Sequence, residues 1–507
     1  MSFFLVCLLI LSLLLLMKKK QGRKKQNKNL PPGPPQLPII GNLHQLGTLP
    51  HHYFWNQSKK YGPVILLQLG GVPTVVVSSA EAAGQVLKNH DLDCCYRPLS
   101  AGTGRLSYNC RDIAFAPYGN YWKEMRKFCV LELFSTKKVK SFRFIREQEV
   151  ASLIDSISQS SLSAIPVDLC EKMMSLTASI TCRVAFGKRF EGNEFDEGKF
   201  QEVVNEAMAM LGSFSASDFF PYVGWIVDKL TGLHDRLERS FHDLDGFYQQ
   251  VIDQHLDSKE TKHEEEQDII DMLLKLQRNR TEIDAVQFTQ DHIKAILMNI
   301  FLGGVDTTAI TVVWAMAELI RNPRAMKKSQ EEIRNCVGNK EEVDEGDIEQ
   351  LKYLKMVVKE TLRLHPPAPL LIPRETMSHF KINGYDIYPK TQVYVNAWAI
   401  QRDPDIWTSP EEFVPERFED ESIDFNGQNY ELLPFGSGRR GCPGMYLGHS
   451  TVELALANLL YCFDWKLPDG LKEEDVNMEE VAGLTLYKKL PLNLVPVKYI
   501  TGRGKME

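Results

Sequence analysis

The chain is 507 residues long, 43% apolar, and carries a formal charge of −7. Residues 1–30 hold seven basic side chains and no acidic one, so the remainder sets 52 basic groups against 66 acidic ones. An acidic body excludes the basic footprint of a nucleic-acid binder. No low-complexity linker or repeat follows residue 40, which favours one large unit over the three domains that length alone would suggest.

Phe3 to Met17 is almost wholly apolar, and Lys18, Lys19, Lys20, Arg23, Lys24, Lys25 and Lys28 follow at once. As a helix this run spans about 22 Å, short of the roughly 30 Å hydrocarbon core. Snorkelling lysines and local thinning would close the gap. A cleaved signal peptide is the alternative, but it needs positive charge ahead of the apolar run and a small-residue cleavage site behind it. Here the charges come after, so the positive-inside rule sets the body on the cytosolic face. The sequons at Asn56 and Asn279 would then go unused. Pro31-Pro-Gly-Pro-Pro35 favours stiff polyproline II backbone, a spacer able to orient a body on a bilayer. The expected organisation is a transmembrane anchor over 1–17, a basic and proline-rich hinge over 18–37, and the functional body over 38–507.

Within the body, Val64–Leu69 and Thr74–Val77 are β-branched, apolar runs around Gly70-Gly71-Val72-Pro73, the pattern of a hairpin. Most of the chain beyond this hairpin has helical periodicity. The charged run from Asp257 to Asp268 reads as a solvated connection. Thr289 is placed to cap a helix running through Ile293 to Ile320, which Pro323 ends; with Asn322 as cap, Pro323 opens the next. Leu351 to His365 forms another helix, stopped by Pro366-Pro367. Strand-like pieces such as Val393–Val395 come later. Helix dominates, with a minor β portion. The ten cysteines are scattered, with no CxxC pair and no zinc spacing, a pattern suited to a reducing compartment.

Four constellations carry chemistry. Phe435-Gly-Ser-Gly-Arg-Arg-Gly-Cys-Pro-Gly444 sets Cys442 among four glycines and two arginines. Exposed backbone N–H groups and nearby cations favour a thiolate, and a thiolate so presented can hold haem iron. On the loop alone, an inert buried thiol remains the competing reading. Gly303-Gly304-Val305-Asp306-Thr307-Thr308 puts two glycines inside a helix, at roughly 1 kcal/mol each relative to alanine. Thr307 is placed to bond back to the Gly303 carbonyl, and Asp306 adds a proton source. Close helix packing over small residues is the alternative there. Glu360 and Arg363, three apart, share a helix face, and Arg417 in Pro415–Phe418 offers a second arginine to the same carboxylate. Trp122, Arg126, Arg374 and Arg440 supply an indole N–H and cations suited to two haem propionates.

Together these motifs resemble the cytochrome P450 superfamily, specifically plant endoplasmic-reticulum monooxygenases of specialised metabolism. Phe435, Gly438, Arg440, Cys442 and Gly444 match the whole cysteine-loop pattern FxxGxRxCxG. The helix motif resembles [AG]GxDTT with Gly303 where alanine is more usual, Glu360 and Arg363 match ExxR, and Trp122 and Arg126 match WxxxR. The resemblance implies a mainly α fold with a small β portion: one haem-thiolate catalytic domain behind the anchor. It implies haem b with Cys442 as the axial metal ligand, proton delivery by Asp306 and Thr307, and a structural triad of Glu360, Arg363 and Arg417. Electrons from NADPH would arrive through the flavins of a membrane-bound reductase, for which Lys123, Arg126, Lys127 and Arg439 offer a cationic docking face.

The family's substrate-contacting regions would fall at 100–117, 210–221, 296–304, 368–372 and 481–486. There Leu106, Phe214, Phe219, Phe220, Leu370, Leu371 and Leu484 suggest a small or medium hydrophobic substrate. Two alternatives stand beside the monooxygenase: an oxygen-independent haem-thiolate enzyme, such as an oxime dehydratase, and a non-catalytic haem carrier or sensor. The last has no use for a proton relay.

Overall fold

The computed structural model describes residues 29–188, 197–257, 267–279, 282–283, 286–420 and 422–499. The apolar run Phe3 to Met17, the basic residues behind it and most of the charged run after Asp257 lie outside them.

Pro50 at the first helical position opens helix α1, Pro50–Tyr61, its missing N–H costing nothing there. The expected hairpin follows as β1, Val64–Leu69, antiparallel to β2, Val72–Val77. The proline stretch lies along its edge. Leu66 N–H donates to the Pro32 carbonyl at 2.9 Å, and Asn42 Nδ2 donates to the Pro35 carbonyl at 3.1 Å. Prolines cannot donate to a ladder but can accept from one, so residues 31–35 are docked against the hairpin.

Helix α2, Asn120–Phe128, precedes α3, Leu169–Phe186, which is capped by Asp168 accepting from Cys170 N–H at 2.8 Å. The long apolar helix expected from Ile293 to Ile320 is two helices, α4, Gln290–Gly304, and α5, Asp306–Arg321, broken at Val305. Thr289 caps α4 as expected, in a reciprocal box with His292. Pro323 opens α6, Pro323–Val337, but Asn322 does not cap it. Its amide donates backward to the Glu318 carbonyl at 2.8 Å, closing the end of α5. Helix α7 spans Lys352–Leu364.

Strands β3, Arg374–Glu375, and β4, Gln392–Val395, complete the first sheet. Its order is β1-β2-β4-β3, with β2 parallel to β4 (Val75 opposite Val393). Helix α8, Met445–Cys462, leaves the cysteine loop directly. The hairpin β5, Glu480–Ala482, with β6, Leu486–Lys488, comes near the end.

Helix α5 is the centre of the molecule, packed by α3, α7 and α8. The stretch Gln290–Arg321 is long and apolar enough to cross a membrane, yet it is the buried spine of the fold. Each fully buried aliphatic side chain along it contributes about 1.5–3 kcal/mol, which is why a helix apolar all round lies here.

Candidate active site

The cysteine loop is shaped by its glycines. Gly436 and Gly438 have φ of +66° and +71°, and a Cβ on Gly438 would meet the Leu87 carbonyl oxygen at 2.5 Å. Only glycine fits that turn. Cys442 N–H donates to the Phe435 carbonyl at 2.9 Å, closing the loop, and the Phe435 ring packs against Phe425 at 5.3 Å. Cys442 is exposed, but to an interior cavity rather than to the outer surface. Burial pushes its thiol up, against the opposing pull of the Gly444 N–H and the Arg126 cation. The Gly444 N–H and the Arg126 cation are the two groups of this site that favour the thiolate. A coordinated metal ion would favour it further.

Cations ring this cavity. Arg440 donates to the Cys95 carbonyl at 2.9 Å and the Ala116 carbonyl at 2.6 Å, and its guanidinium lies 4.3 Å from the Trp122 ring centroid. The Trp122 indole donates to the Ile113 carbonyl at 2.9 Å. Arg126, from α2, donates to the Gly441 carbonyl beside Cys442. Arg374 reaches Asp91 at 2.6 Å and the Ser437 carbonyl at 3.0 Å. Asp91 also accepts from Arg439 at 2.9 Å. Burial raises the Asp91 carboxyl, but the two arginines outweigh it and hold the group below its ordinary range.

One further cation went unseen in the sequence. Arg97 is buried and lines the same cavity, donating to the carbonyls of Ala114, Ile372 and Pro373 at 3.0, 2.6 and 2.9 Å. No motif marks it; only the fold brings it beside Arg374 and Arg440.

Thr307 lines the same cavity and its hydroxyl donates to the Gly303 carbonyl at 2.6 Å, as expected. This bond spans the break at Val305, in keeping with the way hydroxyl back-bonding bends helices. Asp306 does not line the cavity. It is buried at 1% exposure, accepts a bond from the Tyr487 hydroxyl on β6, and leaves its other oxygen facing no protein donor.

Glu360 is the hub of a buried ionic network. Arg363 reaches it twice, at 2.7 and 2.9 Å, and Arg417 Nε meets it at 2.9 Å. Both arginines spend their remaining donors on carbonyls between Gln401 and Glu412.

The cavity holds about 320 Å³. Its lining combines one thiol, four guanidiniums and apolar faces from Leu362, Leu371, Ile372, Val393, Leu447 and Val452. This donor set fits a flat, apolar cofactor that bears two carboxylates at one edge and needs a soft axial ligand. Of the apolar side chains expected to meet substrate, only Leu371 lines it. Leu106 is core, and Phe214 is 60% exposed and stacked on Phe219 at 4.9 Å. Helical and loop position in the sequence did not reveal which way those side chains turn. Ile113, Ala114, Ile296 and Ile300 take their place.

A cavity lined by one thiol and four arginines on a mainly α fold fits a haem-thiolate protein. The family model for cytochrome P450 matches residues 31–494. The chain is 58% identical to Cytochrome P450 71B10 of Arabidopsis thaliana, over 92% of its own length and 93% of that protein. It is 57% identical to Cytochrome P450 71B37 of the same plant, over 94% of each. The chain belongs to the cytochrome P450 family. It is a haem b monooxygenase acting on hydrophobic metabolites with electrons that a reductase draws from NADPH.

Proposed function

We propose that Cys442 would be the iron ligand and that Thr307, with Asp306, serves proton delivery in the same cavity. The observation that carries this reading is that Cys442 and Thr307 share one chamber, both lining the cavity that Arg97, Arg126, Arg374 and Arg440 also line. Haem iron held by a thiolate activates molecular oxygen. Around it the chain's own groups divide the work.

The arginines would orient the propionates through charge-assisted bonds; the Trp122 indole N–H, expected to join them, is taken by the Ile113 carbonyl, and its ring packs against Arg440 instead. Phe435, Gly436 and Gly438 shape the loop so that the sulfur faces inward. Glu360, Arg363 and Arg417 brace the segment that leads to this loop. The Thr307 hydroxyl, held by the Gly303 carbonyl, is placed to hand on a proton. The apolar walls at Ile113, Ile296 and Ile300 exclude water and select a hydrophobic substrate.

The same proposal puts the enzyme at the endoplasmic reticulum membrane, through the anchor at 1–17 and hinge at 18–37, with the catalytic domain of 38–507 cytosolic. An exposed apolar surface supports it. Tyr222, Val223, Trp225 and Leu230 are 91%, 57%, 58% and 82% exposed. They follow Phe219, whose carbonyl bonds Gly71 N–H at 2.7 Å; Gly70 N–H in turn bonds the carbonyl of Ile40, itself exposed. Exposed apolar side chains clustered in this segment suit a membrane contact. For the NADPH–cytochrome P450 reductase, Lys123, Lys127 and Arg439 stay exposed, whereas Arg126 turns inward to Gly441 and leaves the docking set.

The test is Thr307→Ala. Haem stays bound, while product per NADPH falls and peroxide rises. An unchanged ratio removes Thr307 from proton delivery. Turnover without NADPH or oxygen would establish an oxygen-independent chemistry instead.

A further inference from the structure

Asp306 and Thr307 are adjacent, yet they face opposite ways. Thr307 opens into the cavity; Asp306 is turned out of it toward the hairpin β5–β6, where the Tyr487 hydroxyl donates to Oδ2. The hairpin is fixed from three sides. Leu486 N–H donates to the Pro367 carbonyl at 3.0 Å. The buried Trp314 indole donates to the Leu486 carbonyl, also at 3.0 Å. At the other strand, Glu480 accepts from His51 and His52 of α1 at 3.1 and 3.0 Å. Tyr487 therefore presents its hydroxyl from a rigid support.

We propose that Tyr487 is a positioning residue for proton delivery: its hydroxyl holds Asp306 on the hairpin side of α5, and release of that bond is what lets the acid serve the cavity. This rests on the monooxygenase reading. Thr307 can accept a proton from Asp306 only if the carboxyl rotates, or if solvent bridges the two around the helix break at Val305. In either case Tyr487 sets both the orientation of the acid and how readily it gives up its proton.

The surroundings leave Tyr487 as the group that decides this. Burial raises the Asp306 carboxyl, and the Tyr487 bond pulls it back. The charged groups on the elements packed against α5 are engaged elsewhere. Arg183 of α3 bonds Glu149 at 2.6 Å, and Glu318 on α5 itself bonds His365 at 2.7 Å. Glu360 and Arg363 of α7 bond each other, and Glu453 of α8 lies 3.4 Å from His449. Lys488, next to Tyr487, lies over the Trp314 ring, 5.1 Å from its centroid.

The experiment compares the haem-loaded wild type with Tyr487→Phe. Two readouts are taken against pH: the infrared band of the protonated Asp306 carboxyl, assigned by its loss in Asp306→Asn, and the yield of product per NADPH. Losing the hydroxyl removes a bond that favours the ionised form, so the carboxyl should titrate at higher pH than in the wild type. The alkaline limb of the coupling profile should move up with it. Replacing Tyr487 by a ring-fluorinated tyrosine, a stronger donor of nearly the same shape, should move both the other way, and it keeps the test open should Tyr487→Phe fail to fold.

If the band shifts but the coupling profile does not, Tyr487 is merely structural and the proposal is overturned. If neither moves, it is overturned as well. If instead the reduced wild type with carbon monoxide lacks the far-shifted Soret absorbance of a thiolate-bound haem, the assignment of Cys442 fails, a result distinct from either of these.

Discussion

Arg417 Nε lies 2.9 Å from Glu360 Oε1, across 57 residues of sequence, and this bond joins α7 to the segment that runs on to the cysteine loop. Glu360 and Arg363 are both fully buried. A buried carboxylate of this kind is held less for its own stabilising effect than because its loss strands two cations in a dry interior. Glu360→Ala should therefore destabilise the chain by about 3–5 kcal/mol. Urea unfolding and the fraction of protein recovered with haem would measure it. A variant with normal haem content and an unchanged midpoint would mean the network is ornamental.

Cys442→Ser should keep the fold but abolish the spectral mark of sulfur ligation. The loop's turns come from Gly436 and Gly438, not from the sulfur, so circular dichroism should match the wild type. A far-shifted carbon monoxide spectrum surviving in this variant would assign the ligand to another residue.

Gly303 and Gly304 should respond in opposite directions. A Cβ on Gly303 meets nothing within 4 Å, whereas one on Gly304 meets Thr181 Oγ1 at 3.2 Å. Gly303→Ala should stabilise by about 0.5–1 kcal/mol through helix propensity. Gly304→Ala should lose about 1–3 kcal/mol to overpacking, recovered when Thr181→Ala is added. Unfolding midpoints of the single and double variants give the comparison; equal effects at the two glycines would contradict it.

The pH dependence of stability should carry a mark from Glu453. Burial pushes its carboxyl up to about 7 from the ordinary 4.5, although Lys355 and Lys359 pull the other way. The native group keeps a proton that the unfolded chain gives up. Its contribution is complete below pH 4.5 and is lost as pH rises to about 7, a change of about 3 kcal/mol. Glu453→Gln should remove this slope. Subtracting the two stability curves between pH 4.5 and 8 shows it directly, and a level difference would mean that Glu453 titrates normally.

Much of this site was legible from residue order. The cysteine loop, the threonine facing back to Gly303, and the pairing of Glu360 with Arg363 are local facts: a glycine pattern, a spacing of four and a spacing of three. Each needs only backbone geometry within one turn or loop. Arg417 was legible too, because a second arginine in Pro415–Phe418 stood close ahead of the loop. The fold class followed from helical periodicity broken by a few β-branched runs.

Other features were decided by tertiary packing. Arg97 carries no motif, and Tyr487 lies 181 residues from the acid it holds. Phe214 and Leu106 fall in the expected regions, yet one turns to the outside and the other into the core. Spacing fixes which residues share a helix face, but not what that face meets. The choice of neighbour depends on which surfaces remain to be covered once α5 is buried among α3, α7 and α8. The sequence thus determined the class of fold and the chemistry. Packing decided which way Asp306 turns and which side chains wall the chamber, because those outcomes depend on contacts between segments that are distant along the chain.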